Sequence, residues 1–204
     1  MRLIGMLDSP YVRRVAVSLR FMGLPFAHEA VSVFRHYDEF SAINPVVKAP
    51  TLVTDEGVTL MDSTLILDYA ERLAPMDRRL SPVGLSDYAR AQRIIGLALA
   101  GCEKSVQIVY ELTLRPAEKH HQPWIDRVRR QLLAAYRLLE TEIGSGETWL
   151  FGDRPLQADI SVAAAWRFTR GALPDIIVAA DHPALAIFSK RAEALPEFLA
   201  FPPD

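Results

Sequence analysis

A chain of 204 residues can build one large domain or two small ones, and half of its side chains are apolar, enough for a true core. Lys plus Arg total 23 against 25 Asp plus Glu, so no basic excess calls for a nucleic-acid backbone and no acidic tail is present. The single Cys102 excludes an internal disulfide, a CxxC pair and a cysteine zinc site, which points to a reducing compartment.

The longest strongly apolar stretch, residues 94–102, is far below the ~20 residues that a membrane helix needs. The opening MRLIGMLDSP reaches Asp8 before a signal-peptide core can form. The expectation is a cytoplasmic protein with no membrane segment.

In chain order, residues 3–7 read as a strand. Val12, Val15, Ala16, Leu19 and Met22 then recur at helical spacing, and Gly23 ends the run. Residues 26–33 read as a second strand entered through Pro25, and the polar, aromatic-bearing 34–44 reads as loop with at most one irregular helical turn. Strands at 50–54 and 58–60 flank Asp55-Glu56-Gly57, a short-hairpin signal. Ile66, Tyr69, Ala70 and Leu73 mark one face of a helix. The order β-α-β then β-β-α requires a mixed sheet: the first two strands need a crossover helix, and the last two share a tight turn.

Residues 75–86, with two prolines and a glycine, form the linker. No strand pattern follows it. Residues 87–115 carry only weak breakers, and 116–123 is a polar break. Trp124, Val128, Leu132, Tyr136, Leu139 and Ile143 recur every three or four residues until Gly144-Ser145-Gly146 stops the helix. Two further helices are expected at about 156–170 and 183–194. The architecture expected is an α/β domain over residues 1–75 and an all-helical domain over 87–204.

Three local sites lie in the first domain. Ser9 stands where the first strand gives way to a helix, with Pro10 at the first helical position. An ordinary N-cap accounts for it. The same geometry, with its unpaired N–H groups and helix dipole, also suits an anion such as a thiolate, to which the serine hydroxyl can donate. Tyr11 is a competing donor, or first-turn packing. The second site is Asn44-Pro45 through Lys48-Ala49-Pro50. A proline that opens a strand explains it; a cis bond there would turn the Ala49 N–H and C=O outward toward an extended peptide. Lys48 is either a solvated charge or the partner of a carboxylate. The third is Asp62-Ser63, a helix cap by default. It can equally hold the two charges of an α-amino acid head group, with the carboxylate at Ser63 and the ammonium at Asp62.

These sites, in this order and spacing, resemble the glutathione transferase family. The resemblance rests on Ser9-Pro10-Tyr11-Val12-Arg13-Arg14-Val15, Asn44-Pro45 through Ala49-Pro50, and Asp62-Ser63. It extends to Phe151 through Asp159, which is similar to the family's helix-start motif. The resemblance implies a thioredoxin-like N-terminal domain followed by a helical C-terminal domain, paired as a homodimer, with glutathione as co-substrate and no metal. It implies that Ser9 stabilises the glutathione thiolate and Ala49 pairs through its backbone with the cysteinyl unit. Asp62 and Ser63 would hold the γ-glutamyl head, and Lys48, helped by His36, the glycyl carboxylate. The second substrate would be a small hydrophobic electrophile. A non-catalytic scaffold, or a glutathione-dependent peroxidase, dehalogenase or lyase, is the alternative.

Two departures stand out. The helix-start motif carries Leu156 where the family has a Ser or Thr cap, so Asp159 has no hydroxyl partner for a capping box. Ser9 also lacks the Ser-Cys context of the isomerase-type branch, which counts against maleylacetoacetate isomerase activity. Elsewhere, Cys102 reads as core packing, His120-His121 as solvated loop, and Arg127, Arg129 and Arg130 as a solvated helix face. Glu103, Gln107, Tyr110 and Glu111 lie at turn spacing, on the helix that in the family borders the electrophile pocket.

Overall fold

The computed structural model describes residues 1–203. They form two compact units, Met1–Ser81 with residues 194–203, and Pro82–Glu193.

In the first unit, β1 (Arg2–Ile4), α1 (Pro10–Met22), β2 (Ala27–Glu29), α2 (Tyr37–Ile43), β3 (Thr51–Val53), β4 (Thr59–Met61) and α3 (Ser63–Leu73) follow in order. The sheet runs β2-β1-β3-β4, with β1 parallel to β2 and antiparallel to β3. This is the mixed sheet that one crossover helix and one tight hairpin demand. Leu3 pairs with Leu52, and both are fully buried. Ile4 and Val53 fall on the other face, where they join Val31 and Phe40 in a separate core cluster. A sheet whose central strand is buried on both faces has helices on both. Residues 37–43, expected as loop, are the helix α2 that supplies Phe40. Seven residues anchored chiefly by one buried aromatic carry too short a period to be read from sequence.

The helical unit contains α4 (Leu85–Thr113), α5 (Gln122–Ile143), α6 (Gln157–Ala172) and α7 (Pro183–Glu193). Its largely apolar core holds a network of buried hydroxyls. The Tyr136 hydroxyl, with one hydrogen to give, lies 2.9 Å from the Ala165 carbonyl and 2.7 Å from Thr169 Oγ1. Thr169 Oγ1 also meets Ser105 Oγ at 2.8 Å, so α4, α5 and α6 are tied by fully buried hydroxyls. Gly101 makes room for this: a methyl group there would lie 3.2 Å from the Tyr136 ring.

Leu156 does stand at the start of α6, and its side chain has no acceptor to offer. The reciprocal half of the cap is present. The buried Asp159 carboxylate accepts from the N–H groups of Leu156 and Leu150, each at 2.9 Å. Burial pushes its pKa up to about 6, against those two hydrogen bonds and the positive charge of Arg191.

The expected helical domain extending to residue 204 is corrected at its end. From Ala194 the chain returns to the first unit, where α8 (Pro196–Leu199) packs on α1. The reason is aromatic. Phe198 is buried edge-on to Phe21, and Phe201 stacks on Phe26 at 5.6 Å. Arg13 lies over the Phe198 ring and donates to the Phe201 carbonyl at 2.8 Å.

Removing the Tyr136 hydroxyl takes the only phenolic donor out of this buried network. Tyr136→Phe is therefore expected to lower unfolding free energy by about 1–2 kcal/mol, read from the urea midpoint at unchanged slope.

Candidate active site

Ser9 caps α1. Its Oγ accepts from the Val12 N–H at 3.4 Å, which uses one lone pair and leaves the hydroxyl hydrogen to donate elsewhere. The residue is half-buried, as is Tyr11 two residues on.

The Ala49-Pro50 peptide is cis. Among the described residues no hydrogen bond of the chain engages the Ala49 N–H or C=O, so both remain available to a bound backbone. The turn is braced from below. Buried Asn44 donates to Thr51 Oγ1 at 2.9 Å and accepts from the Val46 N–H at 3.1 Å, and Thr51 Oγ1 donates to the Lys48 carbonyl at 2.8 Å. Val47 sits at a φ of 51°, a left-handed conformation that a β-branched side chain adopts only under constraint.

Asp62 caps α3 at a φ of 74°, likewise strained, and its carboxylate accepts from the Thr64 N–H at 2.9 Å. Partial burial alone would raise its pKa. The Thr64 and Leu65 N–H groups and the Lys48 ammonium at 3.4 Å outweigh that and hold it below its ordinary value. Lys48 thus rests on a carboxylate of the chain itself. Both side chains are about half exposed, so the pair is weak and open to exchange. Ser63 is buried, and its Oγ accepts from Arg14 Nη1 at 3.0 Å.

Three contacts join the segments. Gly5, at a φ of 139°, lies where a methyl group would meet Val12 Cγ2 at 2.6 Å and Ala49 Cβ at 3.2 Å, so the first turn of α1 and the turn before Pro50 close over it. Lys48 reaches α3 through Asp62, and Arg14 reaches α3 from α1. Ser9, Lys48, Ala49, Asp62 and Ser63 therefore belong to one continuous arrangement in the first unit. His36 stands outside it: exposed at the start of α2, its Nδ1 accepts from the Ser32 N–H at 3.2 Å. Arg14 and Gly5 are the members that the sequence reading did not single out.

The helical unit has its own cleft of about 490 Å³, lined by Gln107, Tyr110, Glu111, Leu114, Arg115 and Trp124 together with Pro116. Of the four residues at turn spacing on this helix, Gln107, Tyr110 and Glu111 line the cleft. Glu103 is not part of the lining and instead bonds Lys104 and Gln107. Glu111 is nine-tenths buried and bonded by Arg115 and by the His121 N–H, which fixes one polar wall against the aromatic one. Among the described residues no three His, Cys, Asp or Glu side chains cluster as a metal site, and no helix is long and apolar enough to cross a membrane.

Gly5→Ala should cost more than about 2 kcal/mol, from overpacking and an unfavourable φ, measured as a drop in denaturant midpoint. Because the Asp62 pKa is depressed on folding, its stabilisation is present above the ordinary carboxylate range and lost as pH falls through the lowered value. Asp62→Asn should therefore give a shallower fall of thermal midpoint at acid pH than the parent; parallel curves would refute the assignment.

Comparison with known proteins places this geometry in a family. The sequence profile of the glutathione S-transferase N-terminal domain matches residues 3–79, and that of the C-terminal domain matches residues 122–191. A maleylacetoacetate isomerase of Pseudomonas aeruginosa is 33% identical over 159 residues, which cover 72% of this chain and 71% of that protein. A glutathione S-transferase of Methylobacterium radiotolerans, solved with glutathione sulfonate, superposes at a TM-score of 0.91 with 29% identity, covering 99% of this chain and 94% of its own. A glutathione transferase family member from Pseudomonas fluorescens, with bound S-(propanoic acid)-glutathione, superposes at 0.85 with 32% identity over the whole of both chains. The thioredoxin-like α/β domain with its four-stranded sheet and the helical domain after it are thus those of the glutathione S-transferases, and the chain belongs to that family.

Proposed function

We propose that the chain is a glutathione transferase of the serine type, which binds glutathione in the first unit and activates its thiol for attack on a hydrophobic electrophile. The observation that carries this reading is the joining of three segments, the starts of α1 and α3 and the turn at Ala49-Pro50, into one arrangement with donors and acceptors suited to a γ-glutamyl peptide. The neighbours solved with glutathione derivatives support it.

In this reading the Ala49 N–H and C=O pair with the cysteinyl backbone. Asp62 receives the ligand ammonium in place of Lys48, and Lys48 turns to the glycyl carboxylate. The thiol proton passes to solvent, and the Ser9 hydroxyl donates to the resulting thiolate. A free thiol has a pKa near ~8.5, so a shift of ~2 units requires about 2.7 kcal/mol. One hydrogen bond to a charge plus the α1 dipole is of that size. The thiolate lone pair forms the C–S bond, while the broken bond's pair leaves with the departing group or passes into a conjugated acceptor that water then protonates. The cleft walled by Tyr110, Leu114 and Trp124 is the surface we assign to the electrophile. A homodimer in the cytoplasm is part of the same proposal.

The 33% identity to a maleylacetoacetate isomerase favours a second reading, in which the same thiolate adds to a cis double bond and is expelled after rotation. Both readings need Ser9; assays with maleylacetoacetate and with a panel of electrophiles separate them.

Ser9→Ala is expected to raise the pKa of bound glutathione, followed by thiolate absorbance against pH, and to cut turnover about 10- to 100-fold with little change in affinity. Unchanged turnover would remove Ser9 from the mechanism.

A further inference from the structure

Arg14 has a guanidinium that is only 2% exposed, though it stands in the middle of the helix that opens the candidate site. Its Nη1 donates to Ser63 Oγ at 3.0 Å and to Thr64 Oγ1 at 3.4 Å, the first two residues of α3. A hydroxyl has one hydrogen and two lone pairs. With a guanidinium N–H on the oxygen, the Ser63 hydrogen must be donated, and among the described residues it has no acceptor. The N–H of Ser63, at the first position of the helix, is likewise unused within the chain. Two donors on one residue, 96% buried, therefore await an acceptor, and a buried positive charge lies directly behind them.

That combination selects an anion and orients it. We propose that Arg14 is a positioning residue for the α-carboxylate of the ligand's γ-glutamyl group, acting through Ser63. The guanidinium fixes the Ser63 hydroxyl as a donor, polarises its O–H, and adds to the partial positive charge of the α3 N-terminus. Asp62, on the neighbouring residue, offers the matching acceptor for the ammonium on the same carbon. Arg14 thereby makes the site discriminate a γ-glutamyl peptide from the same peptide without its α-carboxylate. This inference rests on the reading of the chain as a glutathione-binding protein.

The test is calorimetric titration of the parent, Arg14→Met, Arg14→Lys and Ser63→Ala with two ligands: glutathione, and 4-aminobutyryl-cysteinyl-glycine, which lacks only the α-carboxylate. A hydrogen-bonded charge lost from such a contact predicts a 10-fold or greater loss of glutathione affinity in Arg14→Met. The same variant should bind the decarboxylated analogue within about twofold of the parent. Arg14→Lys should recover part of the loss. Ser63→Ala should match Arg14→Met, and the double variant should be no worse than either single one, since both act on one contact. If Arg14→Met does not fold, Arg14→Lys and Ser63→Ala carry the same comparison. Equal losses for both ligands would mean that Arg14 only supports the fold, and would overturn the proposal while leaving glutathione binding intact. Failure of the parent to bind glutathione would instead overturn the functional reading, and this inference with it.

Discussion

Helix α1 is enclosed on almost every side, and the first unit is arranged around that fact. From Val12 to Leu19 every residue is buried, including two arginines, because α3 and the C-terminal helix α8 pack on it and β1 runs up to its start. The span from Val12 to Leu19 cannot place its charges in water, so both of its arginines reach a polar group on a packed neighbour. Arg13 turns to the Phe201 carbonyl and the Phe198 ring, and Arg14 turns to Ser63 and Thr64. The two guanidinium groups thus tie the end of the chain and the start of α3 to one helix. Truncating either leaves acceptors buried without their donor, the costly direction of change. Ser9 caps the start of the same helix, so the candidate thiolate-stabilising group is held by a closely packed element.

Much of this was legible in the sequence because it depends on local rules. The strands and α1 follow from apolar period and breakers, and Asp55-Glu56-Gly57 marks the hairpin between β3 and β4. Ser9, Asp62 and Ser63 are visible because a polar residue before an apolar-periodic run signals a helix start. What was not legible depends on tertiary partners. Arg14 reads as surface charge until α3 is placed beside it, although Val12-Arg13-Arg14-Val15 set two adjacent charges inside an otherwise apolar run. Gly5 is one small residue at a strand end, and only the approach of Val12 and Ala49 explains it. The chain end carried Phe198 and Phe201 with no sign of which unit would bury them. In the cleft, Gln107, Tyr110 and Glu111 share a helix face, whereas Leu114, Pro116 and Trp124 arrive through the turn that follows.

The candidate site divides its labour between backbone and side chain. Ala49 offers one donor and one acceptor in fixed geometry, which suits any extended peptide and discriminates little. Discrimination falls to the flanks, where Ser9 faces a sulfur, Asp62 an ammonium and Ser63 a carboxylate in the proposed complex. Two of the supporting positions, Val47 and Asp62, hold left-handed backbone without glycine, a cost of roughly 1–3 kcal/mol each that the surrounding hydrogen bonds sustain. Asn44 and Thr51 brace the first and the Lys48 ammonium with the Thr64 N–H the second.

The half-cap at Asp159 gives the helical unit a proton linkage of its own. Its carboxyl is pushed up to about 6 by burial, so over the range from the ordinary carboxylate value to that point the folded unit retains a proton that the unfolded chain has released. The contribution of Asp159 to stability is therefore greatest in acid and declines as pH rises through about 6, the reverse of Asp62 in the first unit. The two carboxyls thus respond to acid with opposite sign. Mild acidification relieves the helical unit of a carboxylate that is costly to bury, although the neutral acid holds the Leu150 and Leu156 N–H groups less strongly, whereas stronger acid removes the charge that caps α3.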